Sequence, residues 1–352
     1  MQTIVENWFR QNKRDLPWRH NRHPYRVWLA EIMLQQTQVT TVIDYFNRFT
    51  DRFKTVQDLA DAPEDEVMAL WSGLGYYSRC RSLHKTAKKI VSEHQGEFPD
   101  TYEELLQLPG VGSYTAGAIL AFAFNKAGPV VDGNIARVLS RLYNDDTEIN
   151  STQGKKHFES ISLALAQKAD CVSDWQEGLM ELGATVCKPT NPSCDQCPLQ
   201  ALCTAYRLDL VETLPKKIQK QARKSMDVVL VLLQDDKHIW LEKNKEARLF
   251  KGLYSPPHQT ISHADEIPQV LTQLLNARQM KTPKHLPEPL VVRRTLTHRD
   301  LTLYGYAIHV NPQKHPSPHW VLQSQLPNMA LSAAVRALFS HAMLSNQQPK
   351  LL

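Results

Sequence analysis

Over the first 210 residues apolar side chains recur three and four apart, as in Leu105 and Leu108 or Val67, Leu70, Trp71 and Leu74. That period predicts helices with one buried face. Turn-forming groups (Asp61-Ala62-Pro63, Pro99-Asp100, Pro109-Gly110) separate the periodic stretches, and no alternating run stands out. From Val228 onward the texture changes. Val228 to Leu233, the polar Gln234 to Lys237, and Ile239-Trp240-Leu241 read as strand, turn and strand. Leu301 to Ile308 alternates like a half-buried strand, and stretches near 265–278 and 330–345 carry helical periodicity. The second half is therefore predicted to be α+β. Between the halves, Glu212 to Ser225 bears Lys, Gln and Pro with few apolar residues and reads as a linker. The domain plan is 1–211, linker 212–225, and 226–352.

Composition narrows the class. With 42% hydrophobic and 22% charged residues in a chain of 352, large cores can form and disorder is excluded. The longest apolar run, Ala116 to Phe124, falls far short of the ~20 residues that span a bilayer, so no membrane role is expected. The N-terminus is broken by Glu6, Arg10, Lys13 and Arg14 and lacks a secretory core. Four of six cysteines crowd into 187–203, which is no disulfide framework and points to a reducing, cytoplasmic setting. Residues 1–210 carry 22 basic and 26 acidic side chains, 211–225 carry 5 and 1, and 226–352 carry 14 and 9. The basic excess is small and sits in the second half, so charge alone does not decide for nucleic acid.

The cysteines carry the strongest chemical signal. Cys187, Cys194, Cys197 and Cys203 follow the spacing C-x6-C-x2-C-x5-C, suited to a tetrahedral metal or an iron–sulfur cluster. Zinc sites come as two tight pairs. Here only one pair is tight, which tilts toward a cluster and leaves zinc open. Leu108-Pro109-Gly110-Val111-Gly112 joins a helical segment to the apolar segment from Tyr114. Gly110 and Gly112 can seat a phosphate on exposed N–H groups, or simply turn the chain between two helices. Glu31 lies among Val27, Trp28, Leu29, Ala30, Ile32 and Met33. An acid in such company is desolvated, its pKa rises, and it can serve as a general acid. The plainer alternative is a glutamate that reaches water. Asp132 precedes Gly133-Asn134 and the periodic Ile135, Val138 and Leu139, the position of a helix N-cap. A capping carboxylate is also rigid and held ionised. One neutral and one anionic carboxyl form the pair that cleaves a bond at an anomeric carbon.

With these pieces, the first half resembles the helix-hairpin-helix DNA glycosylases of the endonuclease III superfamily, and within it the adenine-excising MutY type. The matching segments are Leu16-Pro17-Trp18-Arg19, Trp28 to Val39 with its Leu-Gln-Gln-Thr, Gly73-Leu74-Gly75-Tyr76-Tyr77, Leu108 to Gly112, Asp132-Gly133-Asn134, and the cysteine loop. The fold implied is a mainly α helix-hairpin-helix domain with a four-cysteine iron–sulfur loop, followed by an α+β Nudix-like domain. The resemblance implies a [4Fe–4S] cofactor on the four cysteines. It implies excision of adenine opposite 8-oxoguanine or guanine in double-stranded DNA, by a bacterial, cytoplasmic monomer working at the nucleoid. Glu31 would protonate the base and Asp132 would stabilise the oxocarbenium-like sugar. Trp18, Arg19, Glu177 and Asn134 would line the adenine pocket. Gln36 and Tyr76 would probe the flipped-out duplex, with the hairpin glycines on its backbone. Tyr76 could otherwise be a packed core tyrosine.

Two departures from the family pattern matter. The bifunctional members carry a lysine just after the hairpin glycines. This chain reads Ser113-Tyr114-Thr115 there, with no lysine from Gly110 to Asn125. Tyr114 takes the lysine's place, and its hydroxyl is expected to support the catalytic carboxylate. In the second half the Glu-rich metal helix of Nudix hydrolases is missing; only Asp265 and Glu266 follow Gly252 closely. That domain is expected to bind and not hydrolyse. The family's Phe-Ser-His turn reads Leu296-Thr297-His298, which leaves Thr297 and His298 as lesion-reading candidates, flanked by Arg293, Arg294 and Arg299. The rival readings are a glycosylase/lyase on the same fold and a zinc-stabilised DNA-binding regulator. Without a Schiff-base lysine, strand breaks in a mispaired duplex should appear only after alkali. Breaks at the glycosylase rate without alkali, on a denaturing gel, would favour the lyase.

Overall fold

The computed structural model describes residues 1–219, 222–244, 249–296 and 299–346. By its internal contacts the chain divides into two compact units: 1–61 with 82–220, and 62–81 with 221–352. The sequence plan put residues 62–81 in the first half. They pack instead with the second unit.

The helices in chain order are α1 Gln2–Asn12, α2 Pro24–Leu34, α3 Val39–Arg52, α4 Val56–Asp61, α5 Glu64–Trp71, α6 Tyr77–His94 and α7 Tyr102–Leu106. Then follow α8 Ser113–Phe124, α9 Gly133–Tyr143, α10 Thr152–Ala166, α11 Val172–Thr185, α12 Thr204–Arg207, α13 Ile267–Asn276 and α14 Ala333–Asn346. The first unit contains no strand among its described residues. Its core gathers Val27 of α2, Ala118 and Phe122 of α8, Ile135 and Leu139 of α9, and Trp175 and Leu179 of α11. The apolar α8 is buried from Thr115 to Phe122, as a helix hydrophobic on all sides must be. It packs against α2 and α11. Asp132 caps α9 and Asn144 ends it in the left-handed region. No helix among the described residues is long and apolar enough to cross a membrane.

The second unit holds strands β1 Lys224–Gln234, β2 His238–Trp240, β3 Glu242–Lys243, β4 Tyr254–Ser255, β5 His258–Ile261, β6 Leu290–Thr295, β7 Arg299–His309 and β8 Trp320–Leu322. Its main sheet runs β6-β7-β1-β2-β8, with β5 also on β1. The strand, turn and strand expected from 228–241 is the antiparallel pair β1 and β2. β1 is parallel to β7 and is buried from Val228 to Leu233. Such an unbroken apolar run is the mark of a central strand covered on both faces. Val229, Val231 and Leu233 pack with Val270, Leu271 and Leu274 of α13 on one face. On the other, Gly305 makes room for Leu338 of α14, whose methyl carbons lie 2.8 Å from where a Cβ would stand. Strand β1 starts at Lys224, inside the expected linker, because its first residues already pair with Arg299 and Asp300.

The hairpin between α7 and α8 turns on Gly110, whose φ is +78°. A Cβ there would sit 2.6 Å from the Ser82 Cβ. Gly112 is extended and meets nothing within 4 Å. The two glycines are thus unequal: one is needed by the backbone, the other leaves open space. Gly110→Ala should cost about 1–3 kcal/mol. Gly112→Ala should stay within ~0.5 kcal/mol of the parent. Thermal melting checks both, and equal losses would contradict the assignment.

Candidate active site

Glu31 sits on α2, a helix buried at nearly every position from Tyr25 to Met33. Its side chain is therefore largely withdrawn from water and only 5% exposed. Tyr114, in the first turn of α8, donates its hydroxyl to Glu31 Oε2 at 2.8 Å. Of the two candidate carboxyl groups, it is therefore Glu31 that the Tyr114 hydroxyl bonds. Asp132 stands where α9 begins. Its Oδ1 accepts from the Asn134 and Ile135 N–H groups at 2.9 and 2.8 Å. Its Oδ2 accepts from Asn134 Nδ2 at 2.9 Å.

The electrostatics follow from this packing. Burial lifts Glu31 to about 7, and the negative charges of Glu177 and Asp132 add to the lift. The Tyr114 hydrogen bond and Arg19 oppose it. Tyr114 itself is pushed well above the usual phenol range by burial, then by the Glu31 charge, so it stays a donor. Asp132 was expected to be held ionised. Burial moves it upward instead, and the N–H groups of Ile135 and Asn134 with Arg137 offset only part of that. The Asp132 charge thus favours the protonated form of Glu31.

Trp18, Arg19, Glu31 and Glu177 line one cavity of about 540 Å³, with Leu34 and Val39 among its apolar walls. Trp18 also meets Phe46 edge-on at 5.5 Å, so it is at once core aromatic and cavity wall. Sequence reasoning missed the ionic frame behind this cavity. Arg19 Nε donates to Glu177 at 3.1 Å and its Nη2 to Glu181 at 2.9 Å. Arg14 forks onto Glu181 at 2.6 and 3.0 Å. Arg22 reaches Glu177 at 2.6 Å, Asp174 at 3.1 Å, and Ser173. Asp174, Glu177 and Glu181 fall three and four apart on α11, one helical face. That spacing was the available signal for Glu181, and it carried none for Arg14 and Arg22.

The four loop cysteines are free thiols that line a second cavity of the same unit, with Val138, Leu142 and Leu182. Among the described residues no three ligand-type side chains meet as a single metal ion would require. Arg141, 2% exposed, donates to the Cys187 sulfur at 3.4 Å and to the Lys188 carbonyl at 2.7 Å. Arg137 donates to the Cys187 carbonyl at 2.8 Å and to Asn134 Oδ1 at 2.9 Å. Asn134, expected in the pocket wall, thus lies between the Asp132 cap and Arg137.

Gln36 is exposed, with φ +57°, and Tyr76 is 40% exposed, with φ +48°. Non-glycine residues there are uncommon and gather at functional turns. The exposure of Tyr76 sets aside the packed-core alternative for this residue, which belongs to the second unit. Thr297 and His298 lie outside the described residues. Beside them, Leu296 N–H donates to Arg299 O at 2.7 Å across the β6–β7 connection. Arg293, Arg294 and Arg299 are all exposed. Helix α13 carries no acid, and Asp265 and Glu266 lie in the turn before it.

Comparison with known proteins agrees with this architecture. Residues 29–162 match the model of the HhH-GPD superfamily base excision DNA repair proteins. Residues 228–341 match that of the NUDIX domain. A solved thermostable thymine-DNA glycosylase superposes with a TM-score of 0.53 at 29% identity, over 58% of this chain and 94% of that one. Fold and site together define a helix-hairpin-helix base-excision protein with a Nudix domain. An adenine DNA glycosylase of Buchnera aphidicola is 39% identical over 73% of this chain and 72% of its own length. The human adenine DNA glycosylase is 34% identical over 97% of this chain and 73% of its own. The chain belongs to the adenine DNA glycosylase family.

A step that needs Glu31 protonated should fade as pH rises through about 7. Tyr114→Phe removes a hydrogen bond that favours the carboxylate, so the alkaline inflection should move upward. Single-turnover rates from roughly pH 5 to 9 measure it; a downward move would contradict the arrangement.

Proposed function

We propose that this chain is a monofunctional glycosylase that hydrolyses the N-glycosidic bond of adenine mispaired with 8-oxoguanine or guanine in duplex DNA. The product is an abasic site. The observation that carries the reading is the buried Glu31, lifted to about 7 at the wall of the Trp18–Arg19–Glu177 cavity. In this reading the catalytic domain is drawn from 1–211 and the lesion-reading Nudix-like domain from 226–352, with residues 62–81 packed in the second unit.

The chemistry balances with these groups. The adenine is flipped out of the stack at a cost of a few kcal/mol. Neutral Glu31 gives its proton to the departing base, so the glycosidic electrons leave with a neutral adenine. Positive charge develops on the sugar, and the Asp132 carboxylate, held by the first N–H groups of α9, stabilises it. Water then adds to the anomeric carbon and gives its surplus proton to the Glu31 carboxylate, which restores the acid. Arg19 and Arg22 hold Glu177 in place against the cavity. Gln36, Tyr76 and the hairpin around Gly110 and Gly112 contact the duplex, and Thr297 and His298 read the lesion. The enzyme works as a monomer, in the cytoplasm where the DNA lies.

Cys187, Cys194, Cys197 and Cys203 would hold a [4Fe–4S] cluster. Their fit rests on four free thiols spread round one cavity rather than drawn to a point, since each ligates a different iron. When bound, the cluster supplies structural order to the loop, with Arg141 donating toward the Cys187 sulfur.

The test uses a duplex with one adenine opposite 8-oxoguanine and the purified protein, which should be brown and absorb in the blue when the four cysteines hold the cluster. Glu31→Gln and Asp132→Asn should each slow base release by roughly 10²–10⁴-fold with the fold intact. A near-parental rate in either variant would remove that residue from the mechanism. A colourless protein that binds the duplex and releases no base would favour the zinc regulator.

A further inference from the structure

The segment 62–81 contains the Gly73-Leu74-Gly75-Tyr76-Tyr77 turn, and every anchor described here lies within the second unit. At its start, Asp65 pairs with Lys243 and accepts from the Tyr254 hydroxyl at 3.2 Å. At its end, Arg81 Nη1 donates to the Lys251 carbonyl at 2.6 Å. The central anchor has the most hydrogen bonds of the three. Arg336 of α14 is gripped by the carbonyls of Leu326, Pro327 and Met329 at 3.1, 3.2 and 2.7 Å. Its Nε donates to Ser72 Oγ at 3.0 Å. Ser72 in turn donates to the Leu331 carbonyl at 2.7 Å, where the Tyr77 hydroxyl also donates at 3.0 Å. The same Tyr77 oxygen accepts from the Gly73 N–H at 3.1 Å.

This relay ends on the backbone of a strained turn. Gly73, Gly75 and Tyr76 all have positive φ, at 101°, 78° and 48°. Trp71 Nε1 and Arg79 both donate to the Gly75 carbonyl, at 3.0 and 3.3 Å. The Arg79 guanidinium lies 5.2 Å from the Tyr76 ring centre and 5.3 Å from that of Trp71. Tyr76 therefore leaves the turn in a fixed direction, with one face supported by a cation. A non-glycine residue persists in such backbone only where its surroundings over-determine it. Here part of those surroundings comes from residues 326–336.

We propose that Arg336 and the Leu331 carbonyl are positioning groups that set the Tyr76 turn, so that the domain assigned to lesion reading aims a duplex-probing side chain. The inference deepens the functional reading above and rests on its assignment of Tyr76. Lesion recognition and duplex probing then share one rigid frame, and a disturbance at Arg336 is felt at Tyr76 without touching the carboxyl pair.

The experiment uses the full chain and a duplex with a non-cleavable adenine analogue opposite 8-oxoguanine. Binding is measured for Arg336→Gln, Tyr77→Phe and Tyr76→Ala, and for each of the first two combined with the third. Arg336→Gln and Tyr77→Phe should each weaken binding by roughly tenfold, and that loss should vanish in the Tyr76→Ala background. Hydrogen exchange without DNA should quicken at residues 72–77 in both. Additive losses, or unchanged exchange in a folded Arg336→Gln, overturn the proposal. If Arg336→Gln fails to fold, Tyr77→Phe, which deletes one hydroxyl, decides alone. Parental binding by Tyr76→Ala also overturns it, through the probing assignment. Exchange at 72–77 then separates that failure from failure of the anchoring.

Discussion

A carboxyl group enclosed by α2 can remain only if it keeps its proton or meets a partner, and Glu31 does both. Its hydrogen bond from Tyr114 is one contact at 2.8 Å, yet it requires α2 and α8 to pack at a fixed register. The α9 cap supplies a second carboxylate close enough to oppose a second charge. The Arg14–Arg19–Arg22 frame on α11 keeps Glu177 and Glu181 neutralised around the same cavity. Arg19 is the buried member of this frame, 7% exposed, and removing it leaves buried carboxylates short of a partner at a cost of about 3–5 kcal/mol. The helical unit is thus organised around groups that water would scatter.

The two ends of the site obey different rules. Glu31 is defined by what surrounds it, an apolar helix with no polar neighbour on its own faces. Asp132 is defined by local backbone, three hydrogen bonds from the first turn of α9. The first arrangement fails if packing loosens anywhere along α2. The second persists as long as one helix start is formed. Placing an acid of each kind side by side lets tertiary packing tune one and secondary structure hold the other.

Much of this was readable from residues in order. Glu31 announced itself because an acid inside Val27 to Leu34 has nowhere polar to go, and Asp132 because Asp-Gly-Asn before a periodic run is a helix start. The cysteine cavity followed from spacing. The ionic frame did not, since Arg14, Arg19 and Arg22 reach α11 across more than 150 residues, and charge pairing at that separation leaves no local period. The placement of 62–81 with the second unit escaped for a like reason. Its helical period describes its buried face and is silent on which partner buries it. The net direction at Asp132 was misjudged because hydrogen bonds are visible in a cap motif, whereas the depth of the surrounding protein is not.

The burial of Glu31 has a cost carried by the whole protein. Below its ordinary value of 4.5 the group is neutral folded or unfolded, and costs nothing. Between 4.5 and about 7 the unfolded chain loses the proton while the folded one retains it, so stability falls as pH rises. Above that window the full penalty, of order 3 kcal/mol, is in place. A chain with an uncharged amide at this position escapes that penalty while losing its acid. Cellular surveillance detects unfolded chains and not idle ones. If Glu31 is the acid proposed above, lineages that lose it would keep abundant, well-folded protein, and the defect would surface only as mutations accumulating in their genomes.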